Sequence, residues 1–182
     1  EKSRKEGAEK GIVHAATGIG KTYLAAFDSL PYKRVLFVAH REEILRQAAE
    51  AFHNVRPDDS YGFFTGDKKD ADVDLLFASV ASLGKEEVLK RKFSPDSFEY
   101  IVMDECHHST ADQYQKILDF FHPAYLLGLT ATPERMDGRS VYELYDFEVP
   151  YEITLKEAVN RGVLVLFHYY GIMDDTVDYS AL

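Results

Sequence analysis

Short apolar runs alternate with amphipathic stretches along most of the chain. The apolar runs predict strands at 11–16, 34–39, 61–65, 73–79, 98–103 and 125–130. The amphipathic stretches predict helices at 21–30, 41–55, 85–91 and 112–121. Strands that alternate with helices in this way predict an α/β fold with a mostly parallel sheet and helices on both of its faces.

Local signals refine where several elements begin and end. The run 34–39 is apolar at nearly every position, which is typical of a strand buried on both faces. Capping boxes are predicted where Thr110 precedes Gln113 and where Thr154 precedes Glu157. The second box would open a helix that ends at Gly162, and 163–170 is predicted to be a further strand.

Composition places the chain among ordinary folded domains. Its 182 residues are 46% hydrophobic and 29% charged, which excludes disordered, collagenous and coiled-coil classes. No apolar run approaches the roughly 18 residues that a membrane span needs, and residues 1–10 are charged and contain no signal-peptide core. Cys106 is the single cysteine and has no partner for an internal disulfide, so a reducing, cytoplasmic setting is expected.

Charge is distributed unevenly between the two halves of the sequence. The whole chain carries a net charge of −10, which at face value argues against a nucleic-acid partner. Residues 1–95 have a net charge of +1, however, and residues 96–182 have a net charge of −11. Because the front half is neutral and can still present a local basic face, the total charge does not exclude nucleic acid.

A glycine-containing turn joins the first predicted strand to the first predicted helix. Residues 16–22 read Ala-Thr-Gly-Ile-Gly-Lys-Thr, and backbone N–H groups in such a turn surround a phosphate at the start of a helix. Lys21 would neutralise the β- and γ-phosphates, and the Thr22 hydroxyl would coordinate Mg²⁺. The residues predicted to hold the nucleotide are Thr17, Gly18, Ile19, Gly20, Lys21 and Thr22.

The turn departs from the usual phosphate-binding pattern at one position. Ala15 stands where G-x-x-x-x-G-K-[ST] has its first glycine. The alternative interpretation is a glycine-rich turn with a solvated lysine. A strand before the turn and a helix after it favour the nucleotide interpretation, because that is the context in which phosphate-binding loops occur.

An acidic pair follows the predicted strand 98–103. Asp104 and Glu105 lie at the carboxyl end of that strand, where ligands collect in open α/β sheets. Asp104 would hold Mg²⁺, and Glu105 would orient and deprotonate an attacking water. Zinc binding by Cys106 and His107 is disfavoured because zinc sites use four ligands at recognisable spacing and no second cysteine exists.

Together and in this order, the motifs resemble those of superfamily 2 helicases and translocases. Residues 16–22 resemble motif I, 104–107 a DExH-type motif II, 130–132 motif III, 38–45 motif Ia, and 77–83 a later strand-end motif that contacts nucleic acid. The stretch 132–138 is most similar to the restriction-enzyme-like and XPB-like branch.

The resemblance implies a RecA-like P-loop three-layer fold that uses ATP and Mg²⁺. It also implies roles for individual residues. These are catalysis by Lys21, Asp104, Glu105 and His107, coupling by Thr130 and Thr132, and nucleic-acid backbone contact by His40, Arg41, Ser79 and Ser82. DNA is favoured over RNA as the partner, and no membrane is expected.

Two features of the family have no counterpart in this sequence. They are the adenine-reading glutamine upstream of motif I and the second RecA-like lobe with its arginine fingers. We therefore expect residues 1–150 to be the first lobe and 151–182 a trailing helix and strand that lead to a second lobe. The isolated chain should bind nucleotide and nucleic acid weakly and hydrolyse little ATP. Two alternatives stay open: another P-loop ATPase or kinase, and a nucleotide-gated interaction module.

Overall fold

The computed structural model describes Arg4, residues 7–16, 18–105, 112–131 and 141–154, together with Glu157 and Asn160. Seven strands lie within these residues: β1 Lys10–Ala15, β2 Val35–Ala39, β3 Tyr61–Phe64, β4 Leu75–Ser79, β5 Tyr100–Asp104, β6 Tyr125–Thr130 and β7 Tyr151–Ile153. Among the described residues they form one parallel sheet in the order β3-β4-β2-β5-β6-β1-β7. The predicted parallel α/β fold is confirmed.

Helices cover both faces of this sheet. They are α1 Lys21–Asp28, α2 Glu42–Val55, α3 Val80–Leu83, α4 Glu86–Lys92 and α5 Asp112–Phe120, followed by a 3₁₀ helix at Val141–Tyr145. The apolar sides of α1 and α2 pack on one face of the sheet, and those of α3, α4 and α5 pack on the other. The two apolar cores make the molecule three layers thick, as the sequence predicts.

Aromatic side chains fill the core beneath α2. Phe37 on β2 and Phe77 on β4 lie on neighbouring strands, and their ring centroids are 6.0 Å apart. Phe52 of α2 packs edge-on against both rings, at 5.8 Å from Phe37 and 5.6 Å from Phe77. All three side chains are buried, and edge-to-face contacts of this kind add to the free energy gained by burial. The helix is thereby fixed against the centre of the sheet.

Parallel pairing brings the carboxyl ends of the strands to one edge of the sheet. Ala39 of β2 lies opposite Ser79 of β4, and Asp104 of β5 lies opposite Leu129 of β6. His14 lies between Thr130 on one side and Glu152 on the other. The residues that follow β1, β2, β4, β5 and β6 therefore lie along a single edge, which is where ligands bind in open α/β sheets.

Three short elements, α3, the 3₁₀ helix and β7, were not predicted. Helix α3 is a single turn, and β7 is a strand of three residues whose first two side chains are exposed. The capping box at Thr154 is confirmed, because its hydroxyl accepts the Glu157 N–H at 3.3 Å and the Thr154 N–H donates to Glu157 Oε2 at 3.0 Å. The predicted box at Thr110, the predicted helix end at Gly162 and the predicted strand 163–170 lie outside the described residues.

No helix in the described part of the chain combines the length and apolar character that crossing a membrane requires.

Candidate functional site

The loop between β1 and α1 has the backbone geometry of an anion-binding turn. Gly18 and Gly20 have φ angles of 87° and 86°, a region that side chains with a Cβ rarely adopt. Gly20 is also the N-cap of α1, so the first N–H groups of the helix point into the loop. We call residues 16–22 the phosphate loop. Ile19 is half-buried within it, and Thr17 lies outside the described residues.

Lys21 closes the phosphate loop with its side chain. Its Nζ donates to the carbonyl oxygens of Ala15 at 2.7 Å and Ala16 at 3.2 Å. Burial lowers the pKa of the Lys21 ammonium, while the nearby carboxylates of Asp104 and Glu105 oppose that shift. The half-buried Lys21 ammonium is therefore held by two carbonyls where the loop begins. The N–H groups of the same loop are suited to bind an anion.

Ala15 fits where the usual pattern has glycine. Its side chain is fully buried in the core beneath α1 and α2, beside Ile153 of β7. Its carbonyl remains available to Lys21, as the 2.7 Å hydrogen bond records. Alanine in place of glycine therefore does not disturb the Lys21 hydrogen bond, because the Ala15 methyl group packs into the core and does not enter the loop.

Asp104 ends β5 at the same edge, and Glu105 follows it directly. Desolvation by burial raises the pKa of the Asp104 carboxyl to about 6, and the charge of Glu105 adds to the rise. The Glu105 N–H bonded to the Asp104 carboxylate and the charge of Lys21 act against it. Glu105 itself has a φ of 52°, a strained conformation for a residue with a Cβ. Strain of this kind often accompanies a functional role.

The described residues fit a magnesium ion shared with phosphate groups. Thr22 lies in the first turn of α1, and Asp104 offers a carboxylate whose charge reaches Lys21. No cluster of three or more His, Cys, Asp or Glu side chains suited to a metal occurs in the described parts of the chain. Thr22 and Asp104 would suit Mg²⁺, which takes one or two protein ligands together with phosphate oxygens and waters.

Thr130 ends β6 between the acidic pair and the phosphate loop. Its side chain is fully buried, and its neighbour across the sheet is His14 of β1. This position lies one strand away from Asp104 on one side and directly beside the strand that enters the phosphate loop on the other. The other residues predicted for motif coupling and catalysis, Thr132 and His107, lie outside the described residues.

The residues predicted to contact nucleic acid lie farther along the same edge. His40 and Arg41 follow β2 and are exposed, with Arg41 as the N-cap of α2. Ser79 is buried, and its hydroxyl accepts the Ser82 N–H at 3.3 Å, which caps α3. A hydroxyl that accepts at a cap still has its hydrogen to donate, so capping does not use the donor of Ser79.

Tyr114 on α5 connects these two groups of residues, and the sequence did not single it out. Its hydroxyl donates to the backbone carbonyl of Asp104 at 3.4 Å, and its ring packs edge-on against His40 with centroids 5.1 Å apart. The side chain is fully buried. The predicted helix 112–121 contains it, and only the fold brings it to both Asp104 and His40.

A separate cavity of about 530 Å³ lies between α1 and β7, lined in part by Leu24, Phe27 and Tyr151. Asp28, the acid in its wall, is already bonded to Arg4 and accepts the Tyr100 hydroxyl hydrogen at 2.8 Å. None of the described phosphate-loop residues is among the residues that line this cavity.

Comparison with known proteins adds a family match to this geometry. The model of the family described as type III restriction enzyme, res subunit, matches residues 1–135. The endonuclease subunit of the type I restriction enzyme EcoAI of Escherichia coli is 32% identical over an alignment of 174 residues, and the match covers 87% of this chain and 21% of that subunit. IRC3 of Saccharomyces cerevisiae, designated an ATP-dependent helicase, is 30% identical over 89% of this chain and 24% of its own length.

The fold is shared with a solved restriction enzyme. A nuclease-deletion mutant of the Type ISP restriction-modification enzyme LlaGI, solved with a DNA substrate mimic, superposes with a TM-score of 0.68. It is 18% identical in sequence, and the match covers 88% of this chain and 19% of that one. The chain thus spans about a fifth to a quarter of the length of the two curated relatives described above.

Proposed function

The chain belongs to the family of the type III restriction enzyme res subunit, and we infer that it forms the first RecA-like lobe of a superfamily 2 helicase or translocase. From this premise we propose that it binds ATP with Mg²⁺ and that the complete protein couples ATP hydrolysis to movement on DNA. One observation carries the proposal: the Lys21 ammonium, anchored on the phosphate loop, lies within the electrostatic reach of Asp104 and Glu105.

Nucleotide binding starts from the phosphate loop. Incoming phosphates would take the N–H groups at the start of α1, where Gly18 and Gly20 leave the backbone uncovered. Lys21 would exchange its two carbonyl partners for the β- and γ-phosphates. That exchange is favourable because the lysine is half-buried and its pKa is lowered, so a phosphate is a stronger partner than two neutral carbonyls.

Asp104 and Glu105 would have different roles in hydrolysis. With Thr22, Asp104 would hold Mg²⁺, which when bound supplies positive charge to the phosphates. Glu105 would orient the attacking water and accept its proton, next to the metal site but not consumed by it. His107, Thr130 and Thr132 are proposed to transmit the nucleotide state to the nucleic-acid contacts.

Nucleic acid would run along the carboxyl edge beyond β5. His40, Arg41, Ser79 and Ser82 are proposed to contact its phosphate backbone, which fixes position without reading sequence. DNA is favoured because the related LlaGI enzyme was solved with a DNA substrate mimic. We further propose that a second RecA-like lobe of the same protein completes the site and that the protein acts in the cytoplasm.

Two substitutions in the complete protein test the nucleotide site. Lys21→Ala should abolish ATP binding and hydrolysis, because the phosphates lose their cation. Glu105→Gln should keep ATP binding but reduce hydrolysis by about a hundredfold or more, the effect of losing a general base. Equilibrium binding and steady-state ATPase rates separate the two outcomes.

Lys33→Ala is the matched control, since Lys33 is an exposed lysine outside the phosphate loop. It should leave both binding and hydrolysis at the wild-type level. Wild-type hydrolysis by Lys21→Ala and Glu105→Gln would show that the site assignment is wrong.

A further inference from the structure

The phosphate loop is tied to β7 through its backbone. The N–H of Ala16, the first loop residue, donates to the carbonyl of Ile153 on β7 at 3.3 Å. The carbonyl of the same Ala16 accepts from Lys21 Nζ at 3.2 Å. One residue, Ala16, therefore makes one bond to β7 and one bond to the lysine that is proposed to bind phosphate, so a change at either end reaches the other through a single residue.

A side-chain pair reinforces this link one register position earlier. Nδ1 of His14 lies 2.9 Å from Oε1 of Glu152, and the two residues face each other across β1 and β7. Because a carboxylate only accepts, Nδ1 carries the hydrogen in this bond. The His14 side chain is 14% exposed and the Glu152 side chain 53%, so the bond forms at the rim of the sheet and is partly shielded from water.

Within the described residues, strand β7 is otherwise held by its ladder to β1 and by the buried side chain of Ile153. It is three residues long and lies at the end of the sheet order, with β1 as its neighbour. So short an edge strand is held by few ladder bonds, and each additional contact has a large effect on where it lies. The chain leaves β7 at Thr154 into the capping box, so the position of β7 also sets where the following segment begins.

We infer that β7 is a positioning strand for the phosphate loop. Glu152 holds His14, and Ile153 holds Ala16, so that the loop is ready for nucleotide only when β7 is docked. Coupling between two sites is reciprocal, so nucleotide binding must also hold β7 more firmly in place. In the proposed motor, which this inference presupposes, the segment after Ile153 would thus receive the nucleotide state directly from the phosphate loop.

Substitutions in the complete protein test the pair. Glu152→Leu and His14→Leu should each raise the KM for ATP roughly three- to tenfold with little change in kcat, the effect of losing one supporting hydrogen bond. Glu152→Gln keeps an acceptor for His14, and His14→Asn places an amide donor near the position of Nδ1. Both should retain a KM close to wild type.

The matched control is an ion pair made by Lys10, at the opposite end of β1 from His14. Lys10 Nζ lies 3.2 Å from Asp146 Oδ2, far from the phosphate loop along β1. Lys10→Ala should leave the KM for ATP unchanged. If Glu152→Leu leaves the KM unchanged, or if Lys10→Ala raises it equally, the pair only holds an edge strand and the inference is wrong.

Hydrogen exchange with ADP as the probe tests the reciprocal half. In the wild-type protein, ADP should slow amide exchange in residues 151–154, and Glu152→Leu should remove most of that protection. Exchange that is indifferent to ADP in the wild type would overturn the inference. If Lys21→Ala is inactive while Glu152→Leu behaves as wild type, only the inference fails. A fully active Lys21→Ala would remove the proposed function as well.

Discussion

At the residue scale, the site is built from charges that folding has brought out of water. Burial lowers the pKa of Lys21 and raises that of Asp104, so each group is held against its preferred ionisation. Their mutual attraction offsets part of that cost. A bound nucleotide and metal would offset the rest, which is why such groups are expected at a ligand site and not in a structural core.

Asp104 gives a pH-dependent prediction. Its pKa of about 6 lies above the ordinary 3.8, so the folded state binds the proton more tightly, and the stability this provides is lost as pH rises through about 6. Asp104→Asn should therefore gain stability over the wild type between pH 4 and pH 7 by up to about 3 kcal/mol, measured by urea unfolding without nucleotide or metal.

Asp74 is the control for this prediction because its shift has the opposite sign. Hydrogen bonds from Ser60 lower the pKa of this exposed carboxylate, so Asp74→Asn should lose stability relative to the wild type as pH rises through the acid range. A stability difference for Asp104→Asn that stays constant across the pH range would contradict the burial of its charge.

At the element scale, the junction of β1 and α1 depends on a left-handed backbone. Apart from the adjoining backbone, no described atom lies within 4 Å of the position a Cβ would take at Gly20 or at Gly66, but only Gly20 of the two has a positive φ. Comparing alanine at these two positions therefore separates backbone strain from steric contact.

Gly20→Ala should destabilise the protein by about 1–2 kcal/mol and weaken ATP binding, because the N-cap of α1 must leave its left-handed conformation or be strained there. Gly66→Ala should be neutral or slightly stabilising, since it only restricts the unfolded chain. Thermal unfolding and ATP titration measure both effects. Equal effects at the two positions would show that the conformation of the loop is not what Gly20 supplies.

Long buried strands were predicted from the sequence, whereas very short elements were not. Strands β2 and β4 are buried at every position, so their apolar runs were sufficient to predict them. Strand β7 alternates weakly over three residues, and α3 is one turn created by the Ser79 cap, so neither has a pattern long enough to detect. Both exist because of their neighbours in the fold.

The residues of the candidate site likewise fall into those that the sequence predicted and those that it did not. Residues within contiguous motifs, such as Lys21 and Asp104, were predicted because a strand end and a helix start fix their places. Tyr114, His14 and Glu152 were not, because their contacts join segments far apart in the sequence. Their types and spacing are those of ordinary core and surface residues.

At the scale of the whole molecule, one sheet edge carries both halves of the proposed activity. The phosphate loop and acidic pair follow β1 and β5, and the candidate nucleic-acid contacts follow β2 and β4. The acidic surplus of the sequence falls after residue 95, whereas His40, Arg41, Ser79 and Ser82 lie in the half with a net charge of +1. The negative total charge therefore does not oppose a nucleic-acid partner at that edge.

The most direct test of this account is the steady-state rate of ATP hydrolysis by the complete protein with and without duplex DNA. We expect DNA to raise the rate, Lys21→Ala to abolish it, and added salt to reduce the stimulation because the contacts are to phosphates. The purified 182-residue chain should hydrolyse little ATP under the same conditions. A rate that is indifferent to both DNA and the Lys21 substitution would contradict the account.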